Sequence, residues 1–149
     1  MDLTNNQIRL SGEILGSSFV DGTTNNSLAL TDSFQQVGGL QVSFTSDRTG
    51  SVEVYIQAYV EKSSGGGVVG AIFRLTDNNN NEISGTPREV IEFHSSDGRQ
   101  LACFSYILSV TEDTSYTYKV QARRGANTQD FNIYWAGDYP ALFIKVIGL

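Results

Sequence analysis

Residues 52–61 read Val52-Glu53-Val54-Tyr55-Ile56-Gln57-Ala58-Tyr59-Val60-Glu61, and this stretch decides the fold class. Val52, Val54, Ile56, Ala58 and Val60 alternate with Glu53, Tyr55, Gln57, Tyr59 and Glu61. Successive side chains of a strand point to opposite sides, so this period of two places one row in a core and the other on the opposite face. Thr49-Gly50 opens the strand and Ser63-Ser64-Gly65-Gly66-Gly67 closes it.

The same grammar continues on the C-terminal side. Val68 to Leu75 reads as a strand that ends at Asp77-Asn78-Asn79-Asn80-Asn81, and a short strand spans Val90 to Phe93 before the turn Ser96-Asp97-Gly98. Leu101 to Val110 reads as a strand buried on both faces, which makes Cys103 a small buried hydrophobe. Tyr116, Tyr118, Val120 and Ala122 alternate with Thr117, Lys119, Gln121 and Arg123. Phe131 to Trp135 and Leu142 to Ile147 complete the set, with Pro140 ahead of the last strand, where its missing N–H is harmless. Eight or so short strands with turn signals between them, and no amphipathic helix, predict an antiparallel two-sheet sandwich or a barrel.

Composition agrees. The chain has 149 residues, in the single-domain range, with 40% hydrophobic and only 17% charged residues. Its polarity comes from Asn, Gln, Ser, Thr and Gly, a vocabulary of sheets and turns. The net charge of −6 argues against nucleic acid and against an anionic membrane surface, since both reward Lys and Arg. The single cysteine excludes an internal disulfide. The first residues lack the basic and apolar regions of a secretion signal, and no apolar run approaches the roughly 20 residues of a membrane span.

Residues 1–33 read differently. Leu3, Ile8, Leu10, Ile14, Leu15 and Phe19 are scattered among Asn, Gly, Ser and Thr, too irregularly for a core strand and too densely for a plain tail. We take this segment as an arm that docks, on its own domain or on a neighbour, ahead of a domain at residues 34–149.

Chemistry needs convergent groups, and the sequence supplies none. His94, the only histidine, sits at a strand end before a turn. Asp77 to Glu82 starts like a calcium loop, but Glu82 replaces the required glycine and Arg88 the required bidentate glutamate. Gly65-Gly66-Gly67 has no following Gly-Lys-Ser/Thr and reads as a flexible loop. Glu89 and Glu92 fall on opposite faces of a strand. Arg123-Arg124 reads as an exposed or interfacial ion-pairing site. We expect no enzyme activity, cofactor or metal.

The aromatic residues say more. Tyr55 and Tyr59 lie opposite the aliphatic row of their strand, and Phe143 and Ile147 lie opposite Leu142, Ile144 and Val146. A sandwich needs only one buried face per sheet, so apolar residues on the outer face predict a second burial surface. Tyr55, Tyr59, Phe143 and Ile147 are therefore the candidate self-association contacts.

The segments Phe104-Ser105-Tyr106, Tyr116-Thr117-Tyr118-Lys119-Val120-Gln121-Ala122-Arg123 and Leu142-Phe143-Ile144-Lys145-Val146-Ile147-Gly148 resemble the tumour-necrosis-factor-like and complement-head-like jelly rolls of bacteriophage virion proteins. The resemblance covers residues 34–149. It implies a ten-stranded jelly roll that assembles as a tight homotrimer through one sheet, and it carries no catalytic residues. Such trimers serve as capsid decoration (cement) proteins, fibre tips and receptor-binding heads. The chain lacks collagen-like repeats and coiled-coil heptads. The expectation is a cement protein at the capsid surface of a virion, docked by its arm on the major capsid protein. The alternative is a trimeric host-recognition module at a fibre tip.

Overall fold

The computed structural model describes residues 12–20, 26–62, 69–93, 98–125, 130–135 and 142–149. These form ten strands: β1 (Ile14–Val20), β2 (Asn26–Ala29), β3 (Gln35–Thr45), β4 (Gly50–Lys62), β5 (Val69–Thr76), β6 (Glu89–Glu92), β7 (Gly98–Val110), β8 (Ser115–Arg124), β9 (Phe131–Trp135) and β10 (Leu142–Gly148). Every pairing is antiparallel, and the strands divide into two sheets of a jelly-roll sandwich.

The first sheet is organised by β4. One edge pairs with β7 from Gly50↔Val110 to Lys62↔Gly98. The other edge pairs with β10 over Val52–Gln57 and then with β9 over Val60–Lys62. Outside these lie β1, on β10, and β2, on β9. The second sheet runs β3-β8-β5-β6.

The inward row Val52, Val54, Ile56, Ala58 and Val60 is sealed from solvent, as the alternation requires. Ile144 and Val146 from β10 join it, and Phe73, Leu75, Tyr118 and Val120 meet it from the second sheet. Two glycines let the layers approach. A Cβ at Gly16 would meet Val42 Cγ2 at 2.6 Å, and one at Gly70 would meet Phe93 at 2.6 Å and Phe131 at 2.8 Å.

The described part of the segment read as an arm lies in this sandwich. Ile14–Val20 is β1, hydrogen-bonded along β10, and Leu30 is buried in the core. Leu15 is half-buried against that core. Leu3, Ile8 and Leu10 lie outside the described residues, as do His94, Pro140 and the Gly65–Gly67 loop.

The β7 reading needs correction. Only its inward row, with Ala102, Tyr106, Leu108 and Val110, is buried. Cys103 is exposed rather than a core residue. The reason is its parity: it pairs with Gln57, on the outer side of β4, and no second layer covers that side among the described residues.

Candidate functional site

The outer faces of the two sheets differ in chemistry. On the second sheet, Ser43 and Thr45 of β3 face Thr117 and Ser115 of β8 through hydroxyl pairs of 2.9 Å each. Farther along, Arg74 donates twice to Gln121 Oε1, at 2.9 and 2.6 Å. Three guanidinium groups gather on the Phe34 ring: Arg74 at 4.1 Å, Arg123 at 5.3 Å and Arg88 at 5.4 Å from its centroid. Arg124 closes a forked ion pair with Asp32, which holds that carboxyl below its ordinary range. Such a surface is satisfied by water and by its own pairs.

On the first sheet, all four sequence-derived contact residues share the outer face, half-buried in the isolated chain. Tyr55 and Phe143 stack with centroids 5.5 Å apart and planes at 26°. Lys145 places its ammonium 5.7 Å from the centre of the Phe143 ring. Ile147 is the cross-strand partner of Ile14, which is 55% exposed. Glu53 stands between Ile147 and Ile107, itself 71% exposed, so three isoleucines line one row across β1, β10 and β7. Tyr59 lies toward the other end of β4, opposite Leu101, which is 47% exposed. Phe19 pairs with Phe143 in register, while the Phe19 side chain lies outside the described residues.

Sequence reading missed Leu101, Cys103 and Ile107 on this face. The signal was present in the period of two that separates Leu101, Cys103, Ser105 and Ile107 from Ala102, Phe104, Tyr106 and Leu108. Around Cys103 the face is polar: its thiol lies 3.8 Å from Gln57 Oε1, and hydrogen bonding with it pushes the Tyr55 phenol above its ordinary value.

The Asp77–Arg88 connection joins β5 to β6 within the second sheet and touches β7 at Tyr106. Asp77 Oδ1 accepts from the Asn79 and Asn81 amides at 2.8 and 2.9 Å, and Oδ2 accepts from Asn81 Nδ2 at 3.1 Å. The Asp77 carboxylate is thus bonded by its own loop. It titrates low, first because of the Asn81 side chain and then because of the loop amides and Lys119. Asn80 takes a left-handed φ of 65°, which asparagine tolerates. Glu82 grips Arg88 through both carboxylate oxygens, and Tyr106 donates to the Pro87 carbonyl at 2.9 Å. Beneath this loop opens a groove of about 740 Å3 whose walls include Tyr116 and Tyr118 of β8 and Ile107 of β7. Among the described residues no group of three or more His, Cys, Asp or Glu side chains could hold a metal ion.

No sequence-family model matches the chain, and no curated protein does. Solved structures do. Over 91% of this chain and 92% of that one, the fold is similar to Eiger TNF from S. frugiperda, with 15% identity and a TM-score of 0.51. The chain also matches a structure of infectious bursal disease virus, Gx strain, at 12% identity and a TM-score of 0.39, over 99% of this chain and 41% of that one. These are likenesses of fold. The first agrees with the tumour-necrosis-factor-like architecture that the strand pattern resembles.

Proposed function

We propose that the chain is a non-enzymatic structural protein of a bacteriophage virion, a homotrimer that decorates the capsid and stabilises its lattice. The observation that carries self-association is the asymmetry of the outer faces. Tyr55, Phe143, Ile147, Ile14, Ile107 and Leu101 place an apolar patch on one face, interleaved with Glu53, Gln57 and the Glu61–Arg99 ion pair, while the other face carries hydroxyl pairs and arginine contacts. An apolar face of this kind is stabilised by a partner, and a second copy of the chain presents a matching one. Closed rotational symmetry lets every copy bury it. Leu3, Ile8 and Leu10 precede β1 and are the residues we assign to contact with a capsid protein. Neither nucleic acid nor membrane is a partner in this reading.

Light scattering on the purified protein should give three times the chain mass of 16.3 kDa. The trimer should co-sediment with capsids that lack it and raise their rupture temperature, because a ligand specific for the assembled lattice stabilises it by mass action. Removing residues 1–11 should leave the trimer and abolish co-sedimentation. A monomer in solution, or capsid binding that survives the truncation, would refute the corresponding half of the proposal. The open groove beside Tyr116 favours a second reading, host recognition at a fibre tip, in which the trimer adsorbs to cells without capsids.

A further inference from the structure

We propose that the groove between the Asp77–Gly85 loop and β8 is a binding site for a neutral oligosaccharide. The inference concerns the groove alone and holds wherever on a virion the trimer sits.

Size comes first. At about 740 Å3 the groove lies within the roughly 300–1,000 Å3 of small-molecule sites. Its chemistry then narrows the ligand. No Lys, Arg or His is among its lining residues, so a phosphate, sulfate or carboxylate ligand would lose its hydration there without gaining a counter-charge. A purely apolar ligand is equally poorly served. Asn79 and Ser84 are among the lining residues and their side chains make no hydrogen bond among the described residues, and covering them with hydrocarbon would strand their donors and acceptors.

Tyr118 supplies the pointed observation. The residue is only 4% exposed, yet its hydroxyl has no hydrogen-bond partner among the described residues, and the space it borders is this groove. That oxygen is not sealed in the core, so it is open to a ligand in the groove. Burial, and then the neighbouring Tyr116, push this phenol up to about 12, so it is a protonated donor at any physiological pH. Tyr116 is held in place: its hydroxyl accepts from the Thr111 amide at 2.8 Å, and its ring stacks on Phe44 at 5.6 Å.

A neutral sugar matches this set. Its hydroxyls both donate and accept, which suits amide and hydroxyl side chains. The C–H groups of a pyranose face carry slight positive charge and pack on the electron-rich face of an aromatic ring. The opposite wall is pre-organised, because Asp77 locks the loop that presents Asn79, and Lys119 holds the Asn78 carbonyl at 2.7 Å. Little ordering is then left for binding to oppose.

The test is a nuclear magnetic resonance titration of the purified protein with neutral gluco-, manno- and galacto-configured trisaccharides, and with one acidic trisaccharide. A neutral trisaccharide should bind and shift the amide signals of Asn79, Tyr116 and Tyr118. Tyr118→Phe keeps the ring and removes only the unpartnered hydroxyl, so it should melt no lower than the parent. It should nonetheless weaken the sugar by roughly three- to tenfold, the worth of one hydrogen bond. Asn79→Ala, on the exposed loop, should weaken it further. Failure of every neutral trisaccharide, preference for the acidic one, or affinity unchanged in both variants would overturn the proposal. Capsid co-sedimentation of the same variants should be unaltered, which separates failure here from failure of the decoration reading.

Discussion

Tyr55 on β4 and Phe143 on β10 stack across neighbouring strands on the outer side of the first sheet, 5.5 Å apart. The pair is out of direct register, since Tyr55 faces Lys145 and Phe143 faces Gln57, so the rings meet diagonally. Diagonal neighbours in a sheet are reached only by large side chains. The pair forms a broad apolar step at the centre of a face that nothing covers within the described chain. Such central aromatic clusters carry most of the energy of an interface. Phe143→Asp should therefore convert the proposed trimer to monomer at micromolar concentration in light scattering, with the β-sheet circular dichroism retained. Ser43→Asp, on the polar outer face of the other sheet, should leave the mass unchanged. A trimer that survives Phe143→Asp would remove this face from the contact.

Cys103 reports on the same face. Its thiol is exposed in the isolated chain, and it faces Gln57 in register, the residue that also faces Phe143. Assembly through this face should bury it. The native protein should react with a thiol reagent at least about tenfold more slowly than the Phe143→Asp monomer, because modification then waits on dissociation. Equal rates in the two proteins would place Cys103 outside the contact.

Much of this architecture was legible in the sequence, and the losses have physical causes. The alternation in β4, β8 and β10 fixed which side chains enter the core, because one face of each strand is aliphatic or aromatic throughout. β7 was misread because its outer row also carries Leu101, Cys103 and Ile107; periodicity cannot separate a strand buried twice from one buried once and exposed once. β1 was hidden differently. Its inward side includes Gly16 and Ser18, small because β3 approaches closely, so hydrophobicity marked no strand there. β3 is interrupted by Gly38 and Gly39, at φ 49° and 77°, where its register on β8 shifts. The four outer-face candidates were found from parity alone, whereas the Tyr116–Tyr118 groove depends on a loop whose path no local pattern encodes.

Gly70 offers a test of the packing. It opens β5 beneath the tilted Phe93–Phe131 pair, whose centroids are 5.5 Å apart, and a Cβ there would overlap both rings. Neither ring has space to retreat, since Phe93 and Phe131 are both fully enclosed. Gly70→Ala should cost about 1–3 kcal/mol by overpacking. The measurement is the denaturant midpoint, and Gly50→Ala, where a Cβ meets nothing, supplies the control. A Gly70→Ala protein as stable as the parent would mean that the Phe93–Phe131 contact is looser than these distances.

The last expectation concerns acid, and it falls on the loop rather than on the sandwich. Hydrogen bonding from Arg88, with the charges of Arg88 and Arg74, holds Glu82 below its ordinary value. Asp77 is lowered by Asn81, the Asn79 amide and Lys119. A carboxylate lowered by folding contributes stability that is fully present above its unfolded pKa, about 4 for these groups, and that is lost as pH falls through the lower folded value. The contribution is therefore intact at neutral pH and disappears only in strong acid. Both groups act on one segment: Asp77 pins the turn through Asn79 and Asn81, and Glu82 ties that turn to Arg88. β4 and β8 carry ion pairs too, Glu61 with Arg99 and Arg124 with Asp32, but each strand is hydrogen-bonded along both edges within its sheet, so they should hold while the loop loosens. Amide hydrogen exchange, corrected for the intrinsic pH dependence, should show residues 77–88 losing protection between about pH 5 and pH 2.5, with β4 and β8 unchanged. Sugar binding in the groove should weaken over the same interval, because Asn79 is presented by the Asp77 turn. Protection at residues 77–88 that persists at the lower pH would show that the turn is held by its backbone bonds alone, such as Asn80 N to Asp77 O at 3.1 Å and Asp77 N to Asn81 O at 2.9 Å.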